Sequence, residues 1–292
     1  MKKALFVCGT DYQINVYYPI IKESCKQKNI TLDLFVLYDY SIFIQNKILN
    51  INVSEYDFCI MLVKDQYISK LFQMANKPCF NTYESMCNTD DKFMTHLILS
   101  QHNIKMPKTI SGNTEFRYLQ GDFERSEQFK NYLESTLGYP IIAKPTDSYG
   151  GKGIIFIQNR QELDKAISKI AKKPYIYQEY INENPGTDIR CVVVGDEVIF
   201  SILRENKNAV ASNLTQGGIA KKIEIDDEYK LTAIKIAKIL GLVYCSIDFF
   251  NVKGSPIFCE ANANPGSIEK NIELTGINQA EKFIEYIYNK LY

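Results

Sequence analysis

Three runs near the amino terminus limit what this chain can fold into more than any other feature. Ala4–Val7, Leu32–Leu37 and Phe58–Val63 have the length and apolar character of buried strands, and helix-length segments around Ile14–Lys28 and Tyr67–Asn76 separate them. Strands buried on both faces pair in parallel and need crossover helices to cover them. Residues 1–88 are therefore expected to form an α/β domain, a small parallel sheet with helices on its faces. A dinucleotide site there would need G-x-G-x-x-G after the first strand. Cys8-Gly9-Thr10-Asp11 supplies one glycine, which excludes that reading.

The rest of the chain has a different rhythm. Thr89 followed by Asp90-Asp91 signals a helix start, and Phe93, Met94, Leu97 and Ile98 follow at helical spacing. Residues 112–136 are polar and carry no pattern. From Tyr139 on, Pro140–Lys144, Gly153–Ile157 and Tyr175–Tyr177 read as strands around a helix at Gln161–Ala171. Asp188–Val194, Glu197–Leu203, Val243–Phe250 and Pro256–Asn262 read as further strands, and Asp227–Leu240 as a helix stopped by Gly241. A chain of 292 residues is long for one core. The expected plan is the α/β domain (1–88) followed by α+β material in two lobes, 89–175 and 176–292.

Composition removes several function classes. The 34 Lys and Arg balance 34 Asp and Glu, so no basic bulk charge points to a nucleic-acid partner. At 46% hydrophobic and 23% charged the chain is neither disordered nor collagen-like. Met1-Lys2-Lys3 precedes an apolar run too short for a signal peptide, and no apolar stretch reaches the ~20 residues of a membrane helix. The eight cysteines form no C-x-x-C pair, and His96 and His102 are the only histidines, which leaves no Cys/His zinc site. The expectation is a soluble cytoplasmic protein with reduced thiols, structural histidines, and neither a nucleic-acid nor a membrane partner.

Glycine is scarce, yet Ser148-Tyr149-Gly150-Gly151-Lys152-Gly153 holds three of the fifteen between two strand-like runs. Glycine there lets backbone N–H groups turn inward and approach an anion, as in a phosphate-covering loop. It is not a Walker A loop, because G-x-x-x-x-G-K-[ST] is not satisfied; a tight hairpin without ligand is the competing reading. Lys144 ends the apolar run just before the loop, where a lysine needs an anionic partner. Lys92 sits in a helix first turn, where the macrodipole disfavours a cation. Screening by Asp90 and Asp91 or contact with a phosphate would each account for it.

Acidic residues inside apolar strands are the other anomaly. Alternation along Pro256–Asn262 sets Phe258, Glu260 and Asn262 on one face and Ile257, Cys259 and Ala261 on the other. Glu260 and Asn262 would then stand about 6.6 Å apart, close enough to share a cation. On Val243–Phe250 the same period aligns Ser246, Asp248 and Phe250. Oxygen donors without His or Cys select a hard cation, and Mg²⁺ bridging nucleotide phosphates fits best; strand-end carboxylates facing water are the alternative. Arg190 and Arg204, two of only five arginines, lie in the same apolar stretch as Asp188. A planar guanidinium suits a phosphate or a carboxylate, so both phosphoryl contact and structural ion pairing remain open.

Together these segments resemble the ATP-grasp ligases and, within them, the RimK-like carboxylate–amine ligases of the ribosomal-protein glutamate ligase type. The resemblance runs from Asp91-Lys92 to the carboxyl end. Its carriers are Pro140–Pro145, Gly150–Gly153, Gln178-Glu179-Tyr180-Ile181, Gly186-Thr187-Asp188-Ile189-Arg190 through Gly195, Ser212-Asn213 with Gly217-Gly218, and Glu260-Ala261-Asn262 with Pro265-Gly266. It implies a two-lobed α+β ATP-grasp fold behind the α/β domain, with ATP and Mg²⁺ (two ions, Mn²⁺ able to substitute) between the lobes. It casts Lys92 and Lys144 as phosphate contacts, with Ser148, Gly150, Gly151 and Gly153 in a lid. Gln178, Glu179, Tyr180 and Ile181 are placed along adenine, Asp188 near the ribose, and Ser212 beside the nucleotide. Asp248, Glu260 and Asn262 match the metal ligands, and Arg190, Arg204 and Asn213 the groups that stabilise the transferred phosphoryl. One departure stands out. The family often has Arg-Ser-Asn where this chain has Ala211-Ser212-Asn213, so Lys207 or Lys152 would have to supply the missing cation.

The implied activity is amide-bond formation through an acyl phosphate, joining an amino acid to a peptide or small-molecule carboxylate. Two alternatives stand beside it: a nucleotide-binding regulatory subunit without ligase activity, and a ligase whose amine acceptor is not an amino acid. Neither donor, acceptor nor pathway is legible, nor is the oligomeric state, for which a homo-oligomer (dimer or tetramer) is the assembly considered.

Overall fold

The computed structural model describes residues 2–38, 42, 44–45, 48–49, 51–112, 126–170, 174–206 and 217–292. The amino-terminal unit runs β1 (Lys2–Cys8), α1 (Tyr18–Gln27), β2 (Ile30–Val36), a two-residue pair β3 (Ile44–Gln45) and β4 (Ile48–Leu49), β5 (Phe58–Met61), α2 (Gln66–Met74) and β6 (Cys79–Phe80). Its main sheet is parallel throughout, in the order β2-β1-β5-β6. Both faces of β1 are covered, which is why its sequence does not alternate. Ala4, Phe6 and Cys8 pack with Ile21 and Cys25 of α1, while Leu5 and Val7 pack with Ile68 and Phe72 of α2. A single π-turn, Gln13–Tyr17, precedes α1. Gln13 is buried there, accepting from the Gly9 amide at 2.8 Å and donating to the Leu62 carbonyl at 2.8 Å.

The middle of the chain forms α3 (Tyr83–Asp90), α4 (Lys92–Ser100), β7 (Thr109–Ser111), α5 (Glu127–Leu137), β8 (Ile141–Pro145), β9 (Ile155–Ile157), α6 (Arg160–Ile170) and β10 (Tyr175–Glu179). The antiparallel sheet has the order β7-β10-β8-β9. The expected division between 175 and 176 falls inside β10, which pairs with β8 along Tyr175–Glu179 and keeps that strand in this sheet. The helix start differs from the sequence reading as well. Thr89 and Asp90 belong to the end of α3, and Asp91 is the cap, its carboxylate accepting from the Met94 amide at 2.8 Å. The unpatterned stretch contains α5, whose buried face consists of Phe129 and Leu133.

The carboxyl-terminal part holds β11 (Thr187–Val194), β12 (Glu197–Glu205), β13 (Ile219–Ile223), α7 (Asp227–Leu240), β14 (Tyr244–Val252), β15 (Ser255–Asn262), α8 (Ile268–Thr275) and α9 (Gln279–Leu291). Its antiparallel sheet is ordered β13-β12-β11-β14-β15. Helix α7 ends where the sequence places its stop, with Gly241 left-handed at φ 74°. Ile189, Cys191 and Val193 of β11 face α7. On the other face, Val192 and Val194 pack under α9, whereas Asp188 and Arg190 lie outside both apolar clusters. One face of this sheet is thus core at one end and charged at the other.

Asn81, 1% exposed, joins the first sheet to the last. Its amide donates to the Tyr244 and Ala263 carbonyls at 2.8 and 2.9 Å and accepts from the Val243 and Tyr244 amides at 2.8 and 3.1 Å. Replacing Asn81 with Ala strands these buried backbone groups, so urea denaturation is expected to show a loss of about 3 kcal/mol. A loss within measurement error would mean the two sheets do not depend on this bridge. Among the described residues no helix is long and apolar enough to cross a membrane, and all eight cysteines are free thiols.

Candidate active site

A cleft lies between the central and carboxyl-terminal sheets, about 920 Å³ including its open mouth. Strand register decides which side chains reach it. Gln178 lies opposite Ile142 and Ile176 opposite Lys144, so Ile142, Lys144 and Gln178 share one face of the central sheet, and all three line the cleft. Glu179, Tyr180 and Ile181 continue the same wall; Asp188, Arg204, Asp248, Phe250, Cys259 and Glu260 line it from the other sheet. Ser148, Tyr149 and Gly151 lie over it. Arg190, Asn262, Gly150 and Gly153 do not line the cleft, although they stand next to residues that do. Gly150, Gly151 and Gly153 have φ of 68°, 74° and 78°, a region other residues enter only with strain. A Cβ on Gly153 would meet Pro145 Cγ at 2.7 Å.

Four charged side chains alternate at the cleft's inner end. Arg190 grips Asp248 with Nε and Nη2 at 2.8 and 2.7 Å. Arg204 grips Asp188 at 2.7 and 2.5 Å, and its Nη2 also reaches Asp248 at 2.8 Å. β11 places Arg190 opposite Asp248 on β14 and Asp188 opposite Arg204 on β12, so register alone creates these pairs. Burial opposes ionising Asp248, but Arg190 and Arg204 outweigh it and hold the carboxyl below its ordinary range. Burial likewise opposes the charge on Arg204; Asp248 and Asp188 overcome it and raise its pKa. Asp188 is therefore the buried partner of Arg204 as well as a cleft residue.

The strand carrying Glu260 corrects the alternation argument. Asp248 is opposite Glu260, yet the next residue, Phe249, is opposite Phe258, so Cys259 is the extra residue of a β-bulge. The bulge reverses alternation: Phe258 turns into the core with Ala261, while Cys259 and Glu260 both face the cleft. Beyond it Asn262 lies opposite Ser246, and its Nδ2 stands 3.5 Å from Asp248 Oδ2. Among the described residues no three His, Cys, Asp or Glu side chains form a ready metal cluster. The oxygen donors are two carboxylates and one amide. That donor set fits Mg²⁺, which uses one or two carboxylates and takes its remaining oxygens from phosphates and water.

Lys92 opens α4, and its ammonium lies 3.3 Å from Glu260 Oε1 and donates to the Ser148 carbonyl. Its amide donates to the Thr146 carbonyl at 3.0 Å, tying α4 to the base of the glycine loop. Lys144 lines the same cleft, and among the described residues no carboxylate pairs with it. Ser212, Asn213, Ala211 and Lys207 lie outside the described residues.

Lys64 and Tyr17 escaped the sequence reading. Lys64, placed after β5, donates to the Thr89 carbonyl at 2.8 Å and shares a side pocket with Lys92 and Glu260. Tyr17 donates to the Gly266 carbonyl and to Asn264 Oδ1, so the amino-terminal unit holds the loop against which Arg190 rests. His96 is buried between α4 and β10, and burial pushes its pKa down to about 4 against the opposing hydrogen bond to the Lys92 carbonyl. The unfolded chain takes up this proton below about 6.5 and the folded one only near 4. His96 therefore contributes stability that is complete above about pH 6.5 and is lost as pH falls towards 4, worth about 3 kcal/mol. Denaturation at pH 7 and pH 4 is expected to show that extra loss in the wild type but not in a His96→Phe variant; equal pH slopes would contradict it.

A family model described as a RimK-like ATP-grasp domain matches residues 89–287. The "Probable alpha-L-glutamate ligase" of Vibrio atlanticus is 30% identical over 225 residues, covering 75% of this chain and 70% of the relative. The "N-acetylaspartylglutamate synthase A" of Homo sapiens is 33% identical over 199 residues, 66% of this chain and 47% of that protein, so the chain spans about half of it. Among solved structures, a D-alanine–D-alanine ligase from Bacillus anthracis complexed with ATP superimposes with a TM-score of 0.73. It is 16% identical, and the match covers 100% of this chain and 97% of that one, which is a likeness of fold.

Proposed function

Because the chain belongs to the RimK-like ATP-grasp family, we propose that it is an ATP-dependent ligase that joins a carboxylate to an amine. The carboxylate attacks the γ-phosphate of ATP, and an amine then displaces phosphate from the acyl phosphate, giving amide, ADP and phosphate. The observation that carries this reading is a single cleft holding Lys144, with no carboxylate partner among the described residues, opposite Asp248 and Glu260. Cations suited to phosphates and oxygen donors suited to a hard metal line that one cavity.

In this reading Lys92 and Lys144 hold the phosphates, and Gln178, Glu179, Tyr180 and Ile181 line the base. Asp188 stands at the ribose end while anchoring Arg204, and Ser148, Gly150, Gly151 and Gly153 form the lid that keeps water from the hydrolysable intermediate. Arg190 and Arg204, with Ser212 and Asn213, meet the charge of the transferred phosphoryl. Asp248, Glu260 and Asn262 are the proposed holders of Mg²⁺, two ions with Mn²⁺ able to replace them, whose chemistry is neutralising phosphate charge. The chain's own contribution is positioning, since no side chain is asked to act as nucleophile.

The amine is proposed to be an amino acid and the carboxylate to lie on a peptide or small molecule. Glutamate is the amine to test first, because the relatives described above are named for glutamate ligation and acetylaspartylglutamate synthesis. The test is ADP release with Mg·ATP, the amino acids one by one, and a set of peptides and small polycarboxylates, with product mass read by mass spectrometry. Release that needs both substrates, and a product equal to their sum less one water, is expected. Turnover only with amines other than amino acids would change the acceptor. Tight ATP binding without turnover on any pair would favour a regulatory nucleotide-binding protein instead.

A further inference from the structure

His96 and Thr109 are not needed for any step above, yet both touch one residue of the cleft wall. Gln178 Nε2 lies 2.9 Å from His96 Nε2 and 2.8 Å from Thr109 Oγ1. Each of these partners is limited to accepting. His96 Nδ1 is 2.8 Å from the Lys92 carbonyl, which can only accept, so the ring proton sits on Nδ1 and Nε2 is bare. The Thr109 hydroxyl proton goes to the Pro107 carbonyl at 2.9 Å, which leaves Oγ1 a lone pair for Gln178. Two independent acceptors thus face the Gln178 NH₂ group and fix the amide's orientation. Its oxygen is left as the free end, with no donor among the described residues, on a side chain that lines the cleft and is only 2% exposed.

We propose that His96 and Thr109 are positioning residues that lock the Gln178 amide with its oxygen available to the ligand, so that the site selects a purine bearing an exocyclic amine over one bearing a carbonyl there. This rests on the nucleotide-binding reading above, with the base lying along Gln178–Ile181. An exocyclic amine donates to that oxygen. A carbonyl would set two acceptors against each other, and the amide cannot turn over without aiming its NH₂ away from both acceptors and its oxygen at them. Hydrophobic walls such as Ile142 and Phe250 hold any purine and do not distinguish the two.

ATP and inosine triphosphate are the probes, because they differ at that position by amine against carbonyl and by a proton on the adjacent ring nitrogen. Dissociation constants for both, with Mg²⁺, are measured by calorimetry on the wild type, Thr109→Ser, Thr109→Val and the His96→Leu/Thr109→Val double variant, each checked for a cooperative melt. The wild type and Thr109→Ser, which keeps the acceptor, are expected to share one preference for ATP. Thr109→Val is expected to reduce that preference about threefold and the double variant about tenfold, as the amide becomes free to turn. If the double variant does not fold, Thr109→Val against Thr109→Ser decides alone. Parallel loss of affinity for both nucleotides at an unchanged ratio would mean that these residues only support the fold, overturning the proposal. A wild type that binds ATP and inosine triphosphate equally would overturn it too. A wild type that binds neither would overturn the nucleotide reading itself, and this inference with it.

Discussion

Glu260→Gln is expected to lower Mg·ATP turnover by about 10²–10³-fold while leaving the protein folded. Its side chain is 29% exposed and, among the described residues, pairs with Lys92 alone at 3.3 Å, so its loss falls on the cleft rather than on the core. The substitution keeps shape and hydrogen bonding and removes one negative charge from the proposed metal position. Asp248→Asn should abolish turnover, but it also removes the carboxylate shared by Arg190 and Arg204 and leaves two guanidinium groups under-compensated at a site 1% exposed. Glu260→Gln is therefore the cleaner variant. Steady-state ADP release over a range of Mg²⁺ concentrations separates the effects, since a weakened metal site is partly rescued by excess Mg²⁺. Unchanged activity in both variants would remove Asp248 and Glu260 from the metal assignment.

The largest effect on stability is expected from Arg204→Met. Arg204 is 5% exposed and pairs with Asp188 and Asp248, themselves 5% and 1% exposed. Removing one member of a buried ionic set strands the others, and about 3–5 kcal/mol is the expected cost in urea denaturation at pH 7. The deficit should shrink towards pH 4. Asp248 then loses one of the two guanidinium groups that hold its carboxyl below its ordinary range, and its protonation removes unpaired charge. A deficit below about 1 kcal/mol would show that Arg190 alone suffices to hold this end of the sheet.

What could be read from the residues depended on how far apart the interacting groups are. Helix Asp227–Leu240 and its Gly241 stop were legible because cap, periodicity and left-handed glycine are local signals. The parallel first sheet was legible because strands covered on both faces leave continuous apolar runs. The acidic residues were conspicuous in β-rich stretches, but their partners were not. Asp188 with Arg204 and Arg190 with Asp248 become pairs only through the register of β11 with β12 and β14. The Cys259 bulge was hidden because period-two reasoning assumes unbroken pairing, and one extra residue moves Phe258 from the cleft face to the core. Thr89 was misread because two helices abut, so the cap of the second, Asp91, immediately follows the end of the first. Helix α5 escaped because it buries only two side chains, Phe129 and Leu133. Tyr17 on Gly266, 249 residues away, left no local trace, and neither did the contact of His96 with Gln178, although a structural role for this histidine was legible.

Isotope transfer from the carboxylate tests the ligase reading most directly. Once an accepted substrate pair is known, the carboxylate is supplied with both oxygens as ¹⁸O and the phosphate released with ADP is analysed by mass spectrometry. Attack by the carboxylate on the γ-phosphate requires one ¹⁸O in every phosphate and one retained in the amide. Unlabelled phosphate accompanying amide formation, or ADP release that proceeds equally well without the carboxylate, would contradict it.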